Sequence, residues 1–266
     1  MDVYGIIGNP VEHSLSPPMH EAGFRERGID AEFVTFETEE DRIREAFRGA
    51  EALGVDGLTV TLPFKHDALE FAEPDDRARR VGAVNTIDFG TSPPVGYNYD
   101  LSGTLRAFEH HDAALEGRDA VVIGAGGAAR AIAFGFEEAG ADVAIANRTV
   151  ERARDLAGEV SGATGRGLDE LPSLMADADV VANATSVGLE ADESVAPANA
   201  WHSDLVAFDA VYKPLETRFL RDAAGAGAET IGGAWMLLFQ GVEAFETWTG
   251  VDAPVEAMNE ALRDHL

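Results

Sequence analysis

Apolar and polar residues alternate with two different periods along the first part of the chain. Residues 4–8, 31–37 and 56–62 show the short apolar run or two-residue alternation of strands. Between them, apolar residues recur at helical spacing, and each helical stretch stops at a glycine. Alternating strands and helices are typical of a parallel sheet covered by helices. We therefore predict an α/β unit in this part of the chain.

A second series of elements begins near residue 117, where the composition changes. Strands are predicted at residues 119–123, 143–146, 179–186 and 206–212. Two helical stretches, 234–248 and 254–266, end the chain, and we expect them to pack back on the first unit.

The predicted fold class is therefore α/β with two domains. The first has a mainly parallel sheet and comprises residues 1–101 and 238–266. The second is of the Rossmann type and comprises residues 102–237.

The charge of the chain adds an expectation about its surroundings. The 266 residues include 48 acidic and 20 basic side chains, and the formal net charge of −28 is spread over the whole chain. At 1 M salt the Debye length is only about 3 Å, so concentrated salt would screen the self-repulsion of this surface. We hypothesise a protein of a high-salt cytoplasm. A basic partner is the alternative, whereas nucleic acid is disfavoured as a partner.

Other residue types narrow the class of protein. The chain has no cysteine, which excludes disulfides, thiolate catalysis and cysteine metal sites, and no cluster of metal ligands stands out. No apolar run reaches the roughly 18 residues of a membrane-spanning helix. The first residues lack the basic and apolar regions of a secretory signal. We therefore expect a cytoplasmic enzyme that uses no metal and does not bind a membrane.

Lys65 is the first candidate catalytic residue. The chain has only two lysines, Lys65 and Lys213, so a lysine directly after a predicted strand is informative. Ligands of parallel α/β sheets bind at the carboxyl ends of the strands. An amine there can exchange a proton once burial or a neighbouring charge tunes its pKa. A solvated surface lysine is the alternative interpretation.

Two serines and an aspartate are further candidate site residues. Ser14 and Ser16 fall in the loop between the first strand and the first helix, where their hydroxyls could hold a polar ligand. Ser16, followed by Pro17, also suits the N-cap of that helix, whereas we assign no capping role to Ser14. We expect Asp100 either to orient Lys65 and stabilise its positive charge, or only to interact with the partial positive charge of a helix N-terminus.

A glycine-rich turn follows the strand at residues 119–123. Residues 124–129 form the pattern Gly-x-Gly-x-x-Ala in a strand–turn–helix context, which is typical of dinucleotide binding. Glycines permit the turn and the close approach of a pyrophosphate, and the helix N-terminus supplies amides and partial positive charge. The candidate cofactor-binding residues here are Gly124, Ala125, Gly126, Gly127 and Ala128.

The next strand ends in a loop that indicates which dinucleotide is bound. NAD-binding units usually place Asp or Glu here to hold the ribose 2′-hydroxyl. This otherwise acidic chain instead has Asn147, Arg148 and Thr149, with Arg152 one helical turn later. Arginine can bind a 2′-phosphate through paired hydrogen bonds and stack on adenine. We therefore predict NADP(H) as cofactor, the alternative being that both arginines are ordinary residues of a helix start.

Several motifs follow one another along the chain: Gly8-Asn9-Pro10-x-x-His13-Ser14-x-Ser16-Pro17, Thr59-Val60-Thr61-Leu62-Pro63-Phe64-Lys65, Ala83-Val84-Asn85-Thr86, Asn98-Tyr99-Asp100, Gly124-Ala125-Gly126-Gly127, Asn147-Arg148-Thr149 and Gly233-x-x-Met236-Leu237-x-x-Gln240. In these motifs and their order, and over nearly its whole length, the chain resembles shikimate dehydrogenase.

The resemblance implies a role for each matching residue. The serines matching Ser14 and Ser16 bind the substrate carboxylate in the family. The residues that bind the ring hydroxyls match Thr61, Lys65, Asn85, Asp100 and Gln240. Lys65 and Asp100 match the catalytic pair, and Tyr212 matches a tyrosine at the substrate mouth. Cofactor contacts match Gly233, near the nicotinamide, and the NADP-selective residues Asn147, Arg148, Thr149 and Arg152.

The implied reaction is the reversible reduction of 3-dehydroshikimate to shikimate with NADPH, on the path to chorismate and the aromatic amino acids. The partner is thus a small-molecule substrate, and a homodimer is one option for the assembly. The alternatives are a quinate-active relative, a catalytically idle NADP-binding sensor and a related folate dehydrogenase.

The chain departs from the family pattern at three positions. Thr59 stands where the family commonly has asparagine, and Tyr99 and Leu101 are bulkier than the family's threonine and glycine. We expect these differences to alter the shape of the local loop, and with it substrate affinity, more than the reaction.

Overall fold

The computed structural model describes residues 1–266. Its strands are β1 (Asp2–Gly8), β2 (Ala31–Glu37), β3 (Gly57–Val60), β4 (Glu73–Pro74), β5 (Thr86–Asp88), β6 (Val95–Tyr97), β7 (Asp119–Ile123), β8 (Asp142–Asn147), β9 (Thr164–Gly167), β10 (Val180–Asn183), β11 (Val206–Asp209) and β12 (Glu229–Gly232). Its α-helices are α1 (Ser16–Arg27), α2 (Ile43–Leu53), α3 (Lys65–Phe71), α4 (Asp76–Val81), α5 (Tyr99–His110), α6 (Gly127–Glu138), α7 (Val150–Glu159), α8 (Leu171–Asp177), α9 (Arg218–Gly225), α10 (Gly233–Thr249) and α11 (Val255–Arg263).

The elements form two compact units, each with its own sheet. The first unit contains Met1–Tyr99 and Leu238–His265, and the second contains Asp100–Leu237. The chain therefore leaves the first unit within α5 and returns to it within α10. The assignment of substrate to the first unit and cofactor to the second stays a prediction.

The sheet of the first unit has six strands in the order β2-β1-β3-β5-β6-β4. Strand β1 pairs in parallel with β2 and β3, and helices connect these strands. Strand β5 is antiparallel to both β3 and β6. The prediction of a mainly parallel sheet in an α/β fold is confirmed.

The two faces of β3 pack against different layers. On one face, Leu58 joins a core with the fully buried Phe47 and Phe64. On the other face, Gly57 lies directly under the indole of Trp248 in α10, whose Nε1 donates a hydrogen bond to the carbonyl of Ile87 at 3.1 Å. Helix α10 thus lies close to the backbone of β3 because residue 57 has no side chain.

Replacing Gly57 with alanine is expected to lower the free energy of unfolding by about 1–3 kcal/mol, because the new methyl group would overlap the Trp248 indole. Urea unfolding at constant high salt measures the change. Gly49→Ala is the matched control, since a Cβ at Gly49 in α2 would meet no atom within 4 Å. That substitution should raise stability by about 0.5–1 kcal/mol. Equal effects at both sites would contradict the packing argument.

The sheet of the second unit is entirely parallel, in the order β12-β11-β10-β7-β8-β9. Its central strands are mostly apolar, as expected where helices cover both faces of a sheet. Val122, Ile145 and Phe208, for example, are fully buried. This is the predicted Rossmann-type arrangement.

Several predicted element ends were wrong. The strand predicted at residues 56–62 stops at Val60 because the next residues form a turn, in which the amide of Phe64 donates to the carbonyl of Thr61 at 3.0 Å. Helix α4 was not predicted, and Gly82 ends that helix. The last helix covers Val255–Arg263 rather than residues 254–266.

Candidate active site

One edge of the first unit's sheet brings together most of the predicted substrate residues. The carboxyl end of β1 leads to Ser14 and Ser16, and that of β3 leads to Thr61 and Lys65. Asn85 directly precedes β5, and because β5 is antiparallel to β3, the start of β5 lies at the same edge. This is the edge at which parallel α/β sheets bind ligands.

The loop after β1 presents the two serines at the start of α1. The hydroxyl oxygen of Ser14 accepts a hydrogen bond from the amide of Ser16 at 3.2 Å. We predicted Ser16 as the N-cap and gave Ser14 no capping role, and both predictions were wrong. Helix α1 begins at Ser16, and Ser14 provides the oxygen that caps one of its first amides. An accepting Ser14 hydroxyl still has a proton to donate, which suits a carboxylate ligand near the helix N-terminus.

Backbone hydrogen bonds hold the Lys65 turn against the segment that carries Asn85. The carbonyl of Lys65 accepts from the amide of Val84 at 3.0 Å, and the amide of Val60 donates to the carbonyl of Asn85 at 2.7 Å. Lys65 is the first residue of α3 and is half-buried. The side chains of Lys65 and Asn85 therefore project from backbone segments that are hydrogen-bonded to each other.

The side chain of Asn85 has a fixed orientation. It is 1% exposed, and its Oδ1 accepts from the amide of Tyr99 at 2.8 Å and from the hydroxyl of Thr86 at 3.2 Å. The oxygen end of the amide is therefore turned towards these protein donors.

Thr61 and Gln240 complete the predicted substrate residues of the first unit. The amide of Thr61 donates to the carbonyl of Ile7 at 3.0 Å, which ties this residue to β1. Gln240 is buried in α10, and the next residue, Gly241, packs against Met19 and His20 of α1. The residue next to Gln240 in α10 therefore packs on α1, the helix that begins at Ser16.

Asp100 and Tyr212 belong to the second unit. Asp100 lies in the first turn of α5, and its carbonyl accepts from the hydroxyl of Thr104 at 2.8 Å. Tyr212 follows β11, and burial raises the pKa of its phenol above the ordinary value. The pairing of Asp100 with Lys65 stays a prediction.

The glycine turn after β7 has the shape that a pyrophosphate requires. Gly124 has φ +128°, which side-chain-bearing residues rarely adopt, and a Cβ there would lie 2.9 Å from the carbonyl oxygen of Ala184. At Gly126 and Gly127, by contrast, a Cβ would meet no atom within 4 Å. The space above the first amides of α6 is therefore open, and these residues fit a bound dinucleotide.

The loop after β8 presents two unpaired arginines. The Asn147 amide nitrogen donates to the carbonyl of Thr149 at 3.0 Å and braces the loop. Arg148 and Arg152 are exposed, and neither side chain forms an ion pair or hydrogen bond. By contrast, Arg130 forms a two-bond ion pair with Glu159 at 2.9 and 2.6 Å. In so acidic a chain, two unpaired guanidiniums fit an anionic group such as a 2′-phosphate.

A buried polar cluster at the ends of β10 and β11 was not predicted from the sequence. Asp209, which has no exposed surface, accepts from the Asn183 amide at 3.0 Å, the Thr217 hydroxyl at 2.5 Å and the amide of Val211 at 3.0 Å. Burial raises the pKa of Asp209 to about 6. The cluster fixes the chain just before Tyr212, and polar residues ending two apolar strands were the signal in the sequence.

Gly233 is constrained by the same part of the second unit. A Cβ at Gly233 would lie 2.5 Å from the carbonyl oxygen of Ala210 and 2.7 Å from that of Asp209. The backbone at the start of α10 thus packs directly on the end of β11. This close contact accounts for glycine at the position, whatever Gly233 contributes to cofactor binding.

The three departures from the family pattern are all buried. Thr59 is 5% exposed, and its hydroxyl has no hydrogen-bond partner. Leu101 is fully buried against Gly135 of α6, and Tyr99 is 8% exposed. The bulk of Tyr99 and Leu101 therefore lies within the packed protein rather than on an open loop.

Two further features concern ligand and membrane binding. No three histidine, aspartate or glutamate side chains converge in a way that could hold a metal ion. None of the helices combines the length and the apolar character needed to cross a bilayer.

Three family models match successive parts of the chain. The model described as the shikimate dehydrogenase substrate binding domain matches residues 6–87. The model for shikimate/quinate 5-dehydrogenase matches residues 106–198, and that for the shikimate 5′-dehydrogenase C-terminal domain matches residues 233–263.

Individual proteins match over the whole chain. The shikimate dehydrogenase (NADP⁺) of Haloarcula marismortui is 60% identical over 266 residues, which cover 100% of both chains. A crystal structure of a shikimate dehydrogenase in complex with NADP⁺ has a TM-score of 0.94 and 37% identity, covering 99% of this chain and 95% of the other. The shikimate 5-dehydrogenase of Thermus thermophilus, in complex with NADP(H) and shikimate, has a TM-score of 0.92 and 36% identity, covering 100% of both.

Proposed function

The chain belongs to the shikimate dehydrogenase family, and from this we propose that it catalyses the reversible, NADPH-dependent reduction of 3-dehydroshikimate to shikimate. The observation that carries the proposal is the full-length identity of 60% to a shikimate dehydrogenase (NADP⁺). The gathering of Ser14, Thr61, Lys65 and Asn85 at one sheet edge supports it independently.

The substrate is an anionic ring with hydroxyl groups, and the first unit offers matching partners. Ser14 and Ser16 receive the carboxylate through their hydroxyls and the helix N-terminus. The groups that hold the ring hydroxyls are the side chains of Thr61, Lys65, Asn85, Asp100 and Gln240. Tyr212 is the proposed tyrosine at the substrate mouth.

Lys65 and Asp100 handle the proton of the reaction. In the reducing direction, the Lys65 ammonium donates a proton to the oxygen of the ring carbonyl as that oxygen gains negative charge. In the reverse direction, the neutral amine accepts the proton from the hydroxyl. Asp100 orients the amine.

NADP(H) supplies or accepts the hydride when it is bound. The residues that would hold its pyrophosphate are Gly124, Ala125, Gly126, Gly127 and Ala128. The loop of Asn147, Arg148, Thr149 and Arg152 would hold the 2′-phosphate, and Gly233 would lie near the nicotinamide.

A spectrophotometric assay at about molar salt tests the proposed function. Shikimate and quinate are each offered with NADP⁺ and with NAD⁺, and the absorbance of the reduced cofactor is followed. Reduction of NADP⁺ with shikimate alone supports the proposal. A preference for quinate or NAD⁺ would overturn the assignment of substrate or cofactor. No reduction by folded protein would favour an idle sensor.

Replacing Arg148 and Arg152 with alanine is expected to raise the KM for NADP⁺ by roughly 10- to 100-fold, since a hydrogen bond to a charged group is worth about 1.5–3 kcal/mol. The KM for NAD⁺, which lacks the 2′-phosphate, should change little. Arg154→Ala is the matched control, because Arg154 is exposed on the same helix as Arg152 and is also unpaired. An equal loss for both cofactors would contradict the assigned role.

The proposal includes a cytoplasmic location, where NADPH-dependent biosynthesis takes place. A homodimer is the proposed alternative to a monomer, and light scattering on the purified protein in molar salt distinguishes the two masses.

A further inference from the structure

We propose that Tyr99 is a positioning residue for substrate recognition, because it holds both the Asn85 amide and the helix that carries Gln240. The inference rests on the proposed function, in which Asn85 and Gln240 bind the substrate ring. Tyr99 itself is assigned no contact with the substrate.

The first contact of Tyr99 is with Asn85. Its backbone amide donates to Asn85 Oδ1 at 2.8 Å. The Asn85 backbone is already fixed on both sides, since its amide donates to the carbonyl of Tyr97 at 2.9 Å and its carbonyl accepts from Val60 at 2.7 Å. The remaining freedom of Asn85 is the rotation of its side chain, and the amide of residue 99 limits that rotation together with the Thr86 hydroxyl.

The second contact of Tyr99 is with α10. The phenol oxygen forms a hydrogen bond with the hydroxyl of Thr247. Thr247 lies seven residues after Gln240, and seven residues make almost two full helical turns, so both lie on the same face of α10. A bond at Thr247 therefore fixes the rotation and axial position of the helix that presents Gln240.

The ring between these two contacts is held rigidly. It stacks on Tyr97 with the centroids 5.2 Å apart and the planes within 9° of parallel. The side chain is 8% exposed, so the phenol has little access to water if the Thr247 partner is removed. A buried hydroxyl without a partner is unfavourable, and the Thr247 bond therefore selects one arrangement of α10 and the β6–α5 junction.

The link depends on the length of the tyrosine side chain. A shorter residue such as threonine would keep the backbone bond to Asn85, but its side chain could not reach Thr247. The phenol thus adds a link between the β6–α5 junction and α10.

Kinetics of Tyr99→Phe and Thr247→Val, with shikimate and NADP⁺, test the inference. Each substitution removes one end of the bond and leaves the backbone amide of residue 99 in place. We expect the KM for shikimate to rise about fivefold in either variant, as expected for loss of one hydrogen bond, with a smaller change in kcat and no change in the KM for NADP⁺. The double variant should show no further increase, and Thr247→Ser should restore the wild-type KM.

Tyr4→Phe is the matched control. Tyr4 is also a buried, stacked tyrosine beside α10, and its hydroxyl donates to the carbonyl of Trp248 at 3.5 Å. Its loss should leave the KM for shikimate unchanged. Equal effects of Tyr4→Phe and Tyr99→Phe, or additive effects of the two test substitutions, would overturn the inference. Failure of the wild-type protein to oxidise shikimate would instead overturn the proposed function, so the two failures are distinguishable.

Discussion

Replacing Lys65 with alanine is expected to lower kcat by roughly 10²–10⁴, which is the usual contribution of a positioned general acid or base. The alanine variant has no group at this position to protonate the carbonyl oxygen during hydride transfer. The residues proposed to bind the cofactor lie in the second unit, so the dissociation constant for NADPH should stay within about twofold of the wild-type value. Steady-state kinetics and a fluorescence titration with NADPH measure the two quantities.

The other lysine provides a matched control for this experiment. Lys213 is exposed, and its replacement by alanine removes the same charge from the same chain. Lys213→Ala should retain wild-type kcat. Comparable losses of turnover and of NADPH binding in Lys65→Ala would instead show that Lys65 supports the structure rather than the chemistry.

The stability of the wild-type protein is expected to fall, relative to that of His20→Leu, by about 1.4 kcal/mol per pH unit below about pH 6.5. His20 is fully buried and stacks on Phe33, with centroids 4.5 Å apart and planes within 3°. Neither ring nitrogen has a hydrogen-bond partner. Burial without a partner disfavours the charged imidazole and lowers the pKa of His20 to about 3.

The sign of this effect follows from proton binding in the two states. The unfolded chain binds a proton at His20 near pH 6.5, whereas the folded protein binds it only near pH 3. The contribution of neutral His20 to stability is therefore complete above pH 6.5 and is lost progressively down to about pH 3. Over this range the accumulated loss is about 4–5 kcal/mol.

Urea unfolding of both proteins from pH 7 to pH 4, at constant molar salt, measures the difference. The carboxylates that contribute to acid unfolding are present in both proteins, so their effects largely cancel in the comparison. Parallel stability profiles would contradict a buried neutral histidine.

The sequence predicted those features of the fold that depend on local patterns. The parallel strands and the turn at Gly124 follow from apolar runs and from the position of glycines, which are visible within a few residues. Ser14 shows where this approach fails. Its hydroxyl caps the amide of Ser16, and that contact depends on the path of a loop that no periodicity describes.

The same distinction applies to the candidate site. The predicted residues after β1 and β3 lie at one edge because the carboxyl ends of parallel strands always meet there. The Asp209 cluster was not predicted, because its partners Asn183 and Thr217 lie 26 and 8 residues away along the chain. The link from Tyr99 to Thr247 spans 148 residues and becomes visible only once α10 is packed on the sheet.

The buried Asp209 cluster gives this acidic protein a part that is shielded from changes in the salinity of the surrounding solution. Molar salt screens charges on the surface within about 3 Å, and the balance of repulsion among exposed carboxylates therefore changes with every change of salinity. Asp209 has no exposed surface, and its carboxylate is held by neutral donors, so dissolved ions do not reach it. We therefore expect the ends of β10 and β11 to keep one geometry across salinities, while the stability of the surrounding surface varies.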